Sequence, residues 1–288
     1  MNIIRIVALT PEAEPKWNSF CAEQDEAWFW HTSTWVNYCK VSRFHVLAEN
    51  CSFMIVDEND HILAIIPLLA EGRSDESGSF NEFTFSGGPC PLFVIDQNAG
   101  KKVRQATEQL IWNTIDQIAS LHQIKRYWVR ENTHYPAYFS KPTSQPRLAR
   151  KGFLDTSLYS CVLPLVGGLE QLWAGMRKGH RAAIKKAEKA IKVQCYDKNT
   201  ISEQKLEHFR EIYFCISGKV TRPLETFNIM LDIIKKGEGL LFEALLDKQT
   251  VGFTFVILFK RYAYYFMACV DREYSKYCIS HYIQWDIF

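Results

Sequence analysis

The sequence predicts an α/β fold, with the strand and helix segregation of an α+β chain, built from two copies of one unit. Three observations predict it. Residues 240–288 run strand, tight turn, strand, strand, polar loop and helix. Residues 53–121 repeat that order: Phe53 to Val56, the acidic turn Asp57-Glu58-Asn59-Asp60, Ile62 to Leu69, Phe80 to Phe85, the loop Ser86-Gly87-Gly88-Pro89 and a long helix over about Lys101 to Leu121. Between them Asn132 to Arg150 carries three prolines among mixed polar residues and reads as a connector. The copies share pattern and not identity, and the expected units are residues 1–150 and 151–288.

Each element follows from local chemistry. Ile3 to Leu9 alternates as a short strand, and Pro11 and Pro15 help to start a helix over Glu12 to Gln24, because a fixed φ suits the first helical turn. A second helix is expected after Thr32 or Ser33, both good N-caps. Arg126 to Val129 closes the first unit as a strand. In the second unit Tyr159 to Leu163 reads as a strand, Leu169 to Ala190 as a basic helix, Lys192 to Tyr196 as a strand, and Ser202 to Ser217 and Leu224 to Lys235 as helices. Then Leu240 to Leu246, the turn Asp247-Lys248-Gln249-Thr250, Val251 to Phe259, Tyr262 to Val270, the loop Asp271 to Lys276 and an amphipathic segment from Ser280 follow.

Composition narrows the class. With 288 residues, 47% hydrophobic and 14% aromatic, the chain has the apolar content for sizeable cores, and disorder is excluded as its general state. The longest apolar runs, Ile62 to Ala70 and Val251 to Phe259, are each about half of what a membrane-spanning helix needs, so no transmembrane segment is predicted. Met1 to Arg5 lacks the basic and apolar regions of a secretory leader. Nine cysteines, an odd number with no CxxC pair, fit buried thiols in a reducing cytoplasm, and no metal site is visible. Between Arg177 and Lys192 seven basic residues face the single acid Glu188, a local charge of +6 that leaves −4 for the rest of a chain whose net charge is +2.

Leu172-Trp173, Met176-Arg177-Lys178, Arg181, Ile184-Lys185-Lys186-Ala187, then Gly252, Tyr264-Tyr265, Asp271-x-x-Tyr274-x-Lys276 and His281-Tyr282-x-x-Trp285 resemble the Fem-type aminoacyl transferases and their acyltransferase relatives of the GNAT superfamily. His31-Thr32-Ser33-Thr34-Trp35 and Gly87-Gly88-Pro89 match landmarks of the same group. The resemblance covers most of the chain. It implies two tandem GNAT-like subdomains with the acceptor in the cleft between them and the donor on the C-terminal unit. It implies no tightly bound cofactor, acyl-CoA or aminoacyl-tRNA as co-substrate, an amine-bearing acceptor, and tRNA or another polyanion as a partner. The pyrophosphate signature Q/R-x-x-G-x-G/A is absent after Val270. The chain also stops where the family carries a further strand, so the C-terminal unit is expected to be incomplete.

Three sets of candidate residues follow. Lys178, Arg181, Lys185 and Lys189 lie on a helix whose stripe of Met176, Ile184, Ala187 and Ile191 is apolar; the helix is either a solvated surface or a polyanion contact. Acyl transfer to an amine needs proton removal from the amine, carbonyl polarisation and leaving-group protonation. Asp271 and Tyr274 have the residue types for proton transfer, and Lys276, Ser280 and His281 stand where a helix start would meet the donor. The alternative is a polar turn in which Asp271 caps and Tyr274 packs. Arg222, before Pro223, is a candidate for an acceptor carboxylate or an ordinary surface arginine. Cys269 lacks a histidine partner in sequence. The enzyme class expected is an N-acyltransferase; the alternative is a non-catalytic polyanion-binding protein with a degenerate transferase fold.

Overall fold

The computed structural model describes residues 4–76, 78–131, 147–156 and 161–288. Most of the connector and the first half of the strand expected over Tyr159 to Leu163 lie outside them; Cys161 to Leu163 form no strand.

The first unit runs β1 (Arg5–Ala8), α1 (Glu14–Glu23), α2 (Ser33–Val41), β2 (Ala48–Asn50), β3 (Phe53–Val56), β4 (Ile62–Ile66), β5 (Leu69–Asp75), β6 (Gly78–Phe83), β7 (Cys90–Pro91), β8 (Val94–Ile95), α3 (Lys101–Leu121), β9 (Ile124–Tyr127) and β10 (Val129–Arg130). Thr32 caps α2, its hydroxyl accepting from Trp35 N at 3.2 Å. The sequence reading expected one strand up to Leu69 and missed β5. The ribbon in fact continues past Pro67, which has no N–H to donate, and divides there into two four-stranded sheets, β1-β3-β4-β8 and β2-β5-β6-β9. At the break the Ser52 hydroxyl accepts from Leu68 N at 2.9 Å, so the division leaves that buried donor satisfied. β6 and β9 are parallel, with α3 as the crossover.

The second unit runs α4 (Gly168–Gly175), α5 (Lys178–Ala187), β11 (Ile191–Tyr196), α6 (Glu203–Ser217), α7 (Leu224–Lys235), β12 (Gly239–Leu246), β13 (Gln249–Phe259), β14 (Tyr262–Val270) and α8 (Ile279–Asp286). Its sheet is antiparallel in the order β11-β12-β13-β14. Both units thus follow one plan: a strand, two helices, an antiparallel meander and a helix. The expected single basic helix is two, because Met176 and Arg177 are extended after the weak helix former Gly175. Gly252 has a packing reason: a Cβ there would stand 2.7 Å from the Cys269 carbonyl oxygen.

Alternation along the second sheet separates two cores. Leu241, Phe253, Phe255, Ile257, Met267 and Cys269 face α6, α7 and the first unit in the main core. Phe242, Ala244, Val251 and Val256 face the other way, where Ala187 of α5 and Ile279 and Ile283 of α8 cover them. Ile184, Ala187 and Ile191 of the predicted stripe are buried. The units are clamped together where α2 packs on α7 and where Lys260, at the β13–β14 turn, donates to the carbonyls of Gln24 and Ala27 at 2.5 and 3.0 Å.

His31 shows why the His31 to Trp35 segment has its residue types. It is 2% exposed; its Nδ1 accepts from Trp28 N at 2.9 Å and its Nε2–H donates to the Leu92 carbonyl at 3.0 Å, so both nitrogens are used in the neutral ring. Burial pushes its pKa down to about 4. The unfolded chain therefore takes up a proton near pH 6.5 that the folded chain refuses until about pH 4. Stability contributed by the neutral ring is present above pH 6.5 and is lost as pH falls through that window, on the order of 3 kcal/mol in total. Urea unfolding at pH 7 and pH 4.5 should show a loss that a His31→Gln variant, whatever its own stability, lacks; the same pH dependence in both chains would remove His31 as its source.

Candidate functional site

β14 lies at the edge of its sheet, and its sequence, YAYYFMACV, puts no charge or proline on that edge. Its pairing with β13 slips one residue between Phe255 and Val256: Phe255 opposes Met267 and Val256 opposes Tyr265. Phe266 is therefore an extra residue, a bulge that interrupts the ladder in mid-strand. The ring of Phe266 meets Trp35 and Tyr38 of α2 edge to face at 5.5 and 5.4 Å, and Tyr264 meets Trp30 at 4.5 Å. The bulge thus sits in the seam between the two units.

Arg222 closes that seam. Its Nη1 donates to the Tyr38 hydroxyl at 2.7 Å, while its Nε and the hydroxyl of neighbouring Thr221 are buried and make no hydrogen bond. A guanidinium N–H and a hydroxyl left so are costly unless an acceptor reaches them, and the fork geometry suits a carboxylate or a phosphate. The first turn of α7 begins directly behind, capped by Pro223 with no side-chain hydrogen bond, so its free N–H groups add a positive end. Arg222 is therefore a partly buried residue at the junction of the two units, bonded to Tyr38 of α2.

The other predicted residues gather on the opposite face of the sheet. His281 of α8 and His180 of α5 bring their Nδ1 atoms to 3.2 Å. Trp173 of α4 lies against Trp285 of α8 at 5.0 Å, and Lys185 Nζ is 5.9 Å from the Trp173 ring. Lys178, Lys189 and Ser280 are exposed and Arg181 is half-exposed. Asp271 follows β14 and accepts from Glu273 N at 3.0 Å, capping a 3-10 turn over Arg272–Tyr277, the arrangement of the polar-turn alternative. Tyr274 is half-buried against the second core, and Lys276 Nζ stands 5.2 Å over the Tyr277 ring. Cys269 is buried, which pushes its thiol up to about 12 and keeps it protonated. The sequence reading missed His180 and the contact of Trp173 with Trp285; both tryptophans were legible as landmarks, and their contact was not. Among the described residues no group of histidine, cysteine and carboxylate side chains is placed to hold a metal ion, and no helix is long and apolar enough to cross a membrane.

The chain is a tandem of strand–helix–meander units with a bulged strand, β14, at the seam between them. The family described as "Acetyltransferase (GNAT) domain" matches residues 174–288, the stretch from the end of α4 through α8, and so most of the second unit is similar to that family. Over the whole chain the fold is similar to that of the crystal structure of FemX, with a TM-score of 0.60 at 11% identity, covering 98% of this chain and 84% of that one; the fold is Fem-type. A tandem GNAT protein from the clavulanic acid biosynthesis pathway (TM-score 0.46, 11% identity, 99% and 84% covered) and a conserved protein of unknown function from Bacteroides thetaiotaomicron (0.46, 9%, 99% and 87%) also match. No curated protein matches the chain.

Proposed function

We propose that this acyltransferase moves an acyl or aminoacyl group from a thioester or an aminoacyl-tRNA to an amine-bearing acceptor, the donor approaching β14 from the α5–α8 face and the acceptor from the Arg222 seam. The observation that carries this is the position of the bulge: Phe266 and Tyr264 place it in the seam against the first unit, while Val270, at the end of the same strand, packs toward the α8 side. A bulge takes backbone N–H groups out of the ladder, where they can polarise the reacting carbonyl. The acceptor amine attacks the carbonyl carbon directly, the bond to the donor sulfur or ribose oxygen breaks, Asp271 takes the amine proton, directly or through water, and the Tyr274 hydroxyl returns one to the leaving group. No covalent intermediate is required. A GNAT domain uses acyl-CoA; the tRNA alternative would add the basic face of α5, and a cytoplasmic site is supported by nine cysteines that are all unpaired. An acceptor from cell-envelope or polysaccharide metabolism, an amine that also bears a carboxylate or phosphate, suits Arg222.

The test is Asp271→Asn with Tyr274→Phe. Asparagine still caps Glu273 and phenylalanine still packs, so the melting temperature should stay within a few degrees while turnover falls by about 10²-fold or more. Native turnover would assign the loop to structure alone. The commitment of the Asp271 carboxylate to a cap favours a second reading, a polyanion-binding chain without chemistry, and binding without turnover by the native chain would establish it.

A further inference from the structure

A separate cluster on the first unit has the order of a nucleophile, its base and an orienting carboxylate. β2 ends at Asn50 and the chain stays extended, so Glu49 and Cys51, two residues apart, project on the same side. His122, the C-cap of α3, is held beside them by its carbonyl, which accepts from Asn81 Nδ2 at 2.8 Å. Its Nδ1 lies 3.3 Å from Glu49 Oε2 and its Nε2 lies 3.8 Å from Cys51 Sγ. The two contacts use opposite nitrogens. A carboxylate at Nδ1 keeps the proton there and turns the Nε2 lone pair toward the thiol.

Burial, then the Glu49 charge, push the Cys51 thiol up to about 11. The resting group is therefore the thiol, and its reactivity depends on proton removal during attack, which is the task His122 is placed for. Access is open: Cys51 is half-buried and the His122 side chain is 20% exposed.

We propose that Cys51 is a nucleophilic thiol with His122 as its base and Glu49 as the positioning residue, and that it accepts acyl groups from small acyl thioesters. Sγ forms a bond to the acyl carbon as the donor's carbon–sulfur bond breaks. His122 takes the thiol proton and returns it to the departing thiolate, so the products are S-acyl-Cys51 and a free thiol. The exchange needs no oxidant and is independent of amine transfer at β14.

The full chain, incubated with the acetyl thioester of N-acetylcysteamine, is followed by intact mass and peptide mapping, with the exposed Cys161, Cys195 and Cys215 as internal references. Cys51 should acquire acetyl faster than all three. His122→Ala should slow it by about 10²-fold and leave the references unchanged. Glu49→Gln, at an exposed position where folding is not at stake, should slow it several-fold, and Glu49→Asp should recover most of the rate. Acetylation of the references but not of Cys51, or a Cys51 rate unchanged in both His122→Ala and Glu49→Gln, would overturn the proposal.

Discussion

Arg222→Ala is expected to lower kcat/KM for acyl transfer by about 10²- to 10³-fold, because removing a partly buried guanidinium from the charged acceptor proposed for it costs about 2–5 kcal/mol. The variant also leaves the Tyr38 hydroxyl, largely buried in the seam, without its 2.7 Å donor, so some of the effect will be on folding, about 1–3 kcal/mol. Tyr38→Phe separates the two. It removes the same hydrogen bond and keeps the ring that stacks on Trp35 at 5.1 Å, so it should lose stability comparably and keep most of the transfer rate. Arg222→Lys keeps the charge without the fork and should fall between. Equal rates for Arg222→Ala and the native chain, measured where both are folded, would remove the seam as the acceptor site.

The second large effect concerns the α5 face. Lys185 stands beside the tryptophan contact, Arg181 lies on the same helix one turn earlier and Lys189 follows α5, so a phosphate backbone laid across that surface would meet cations and an aromatic surface together. Each phosphate neutralised contributes roughly 0.7–0.9 to the slope of log affinity against log salt. The Arg181→Ala, Lys185→Ala, Lys189→Ala triple variant should therefore lose about 2 from that slope for tRNA, and more than about 10²-fold in affinity at low salt. Acyl-CoA, a compact anion, should bind nearer the segment entering Ser280 and lose much less. Calorimetric titration of both ligands decides between donors. Equal losses for the two would mean that α5 sets only a general field, and no binding of either to the native chain would end the donor assignment to this face.

The parts of this architecture written in local pattern were legible without coordinates. The helices expected over Ser202 to Ser217 and Leu224 to Lys235 are α6 and α7, and the strand-like runs are β12 to β14, because the apolar side of an element is a property of residues within a few positions of one another. The repeat of that order marked the tandem plan. The break at Pro67 into two sheets was hidden, since a proline in a strand-like run has the same local sequence whether the strand ends or merely changes partner. The basic run was legible as charge; its division at Met176 and Arg177, after Gly175, was not read from it.

The sites divide the same way. The sequence by itself determined the residue types at Arg222, Asp271, Tyr274 and the α5 cations, and the order of the elements that carry them. Only the tertiary structure decided their company: Arg222 with Tyr38 across 184 residues, His180 with His281 across 101, and His122 with Cys51 across 71. A contact between residues so far apart depends on strand register, on the bulge at Phe266 and on how α2 docks against α7. Those are set by the joint packing of many side chains, which no short window of sequence contains.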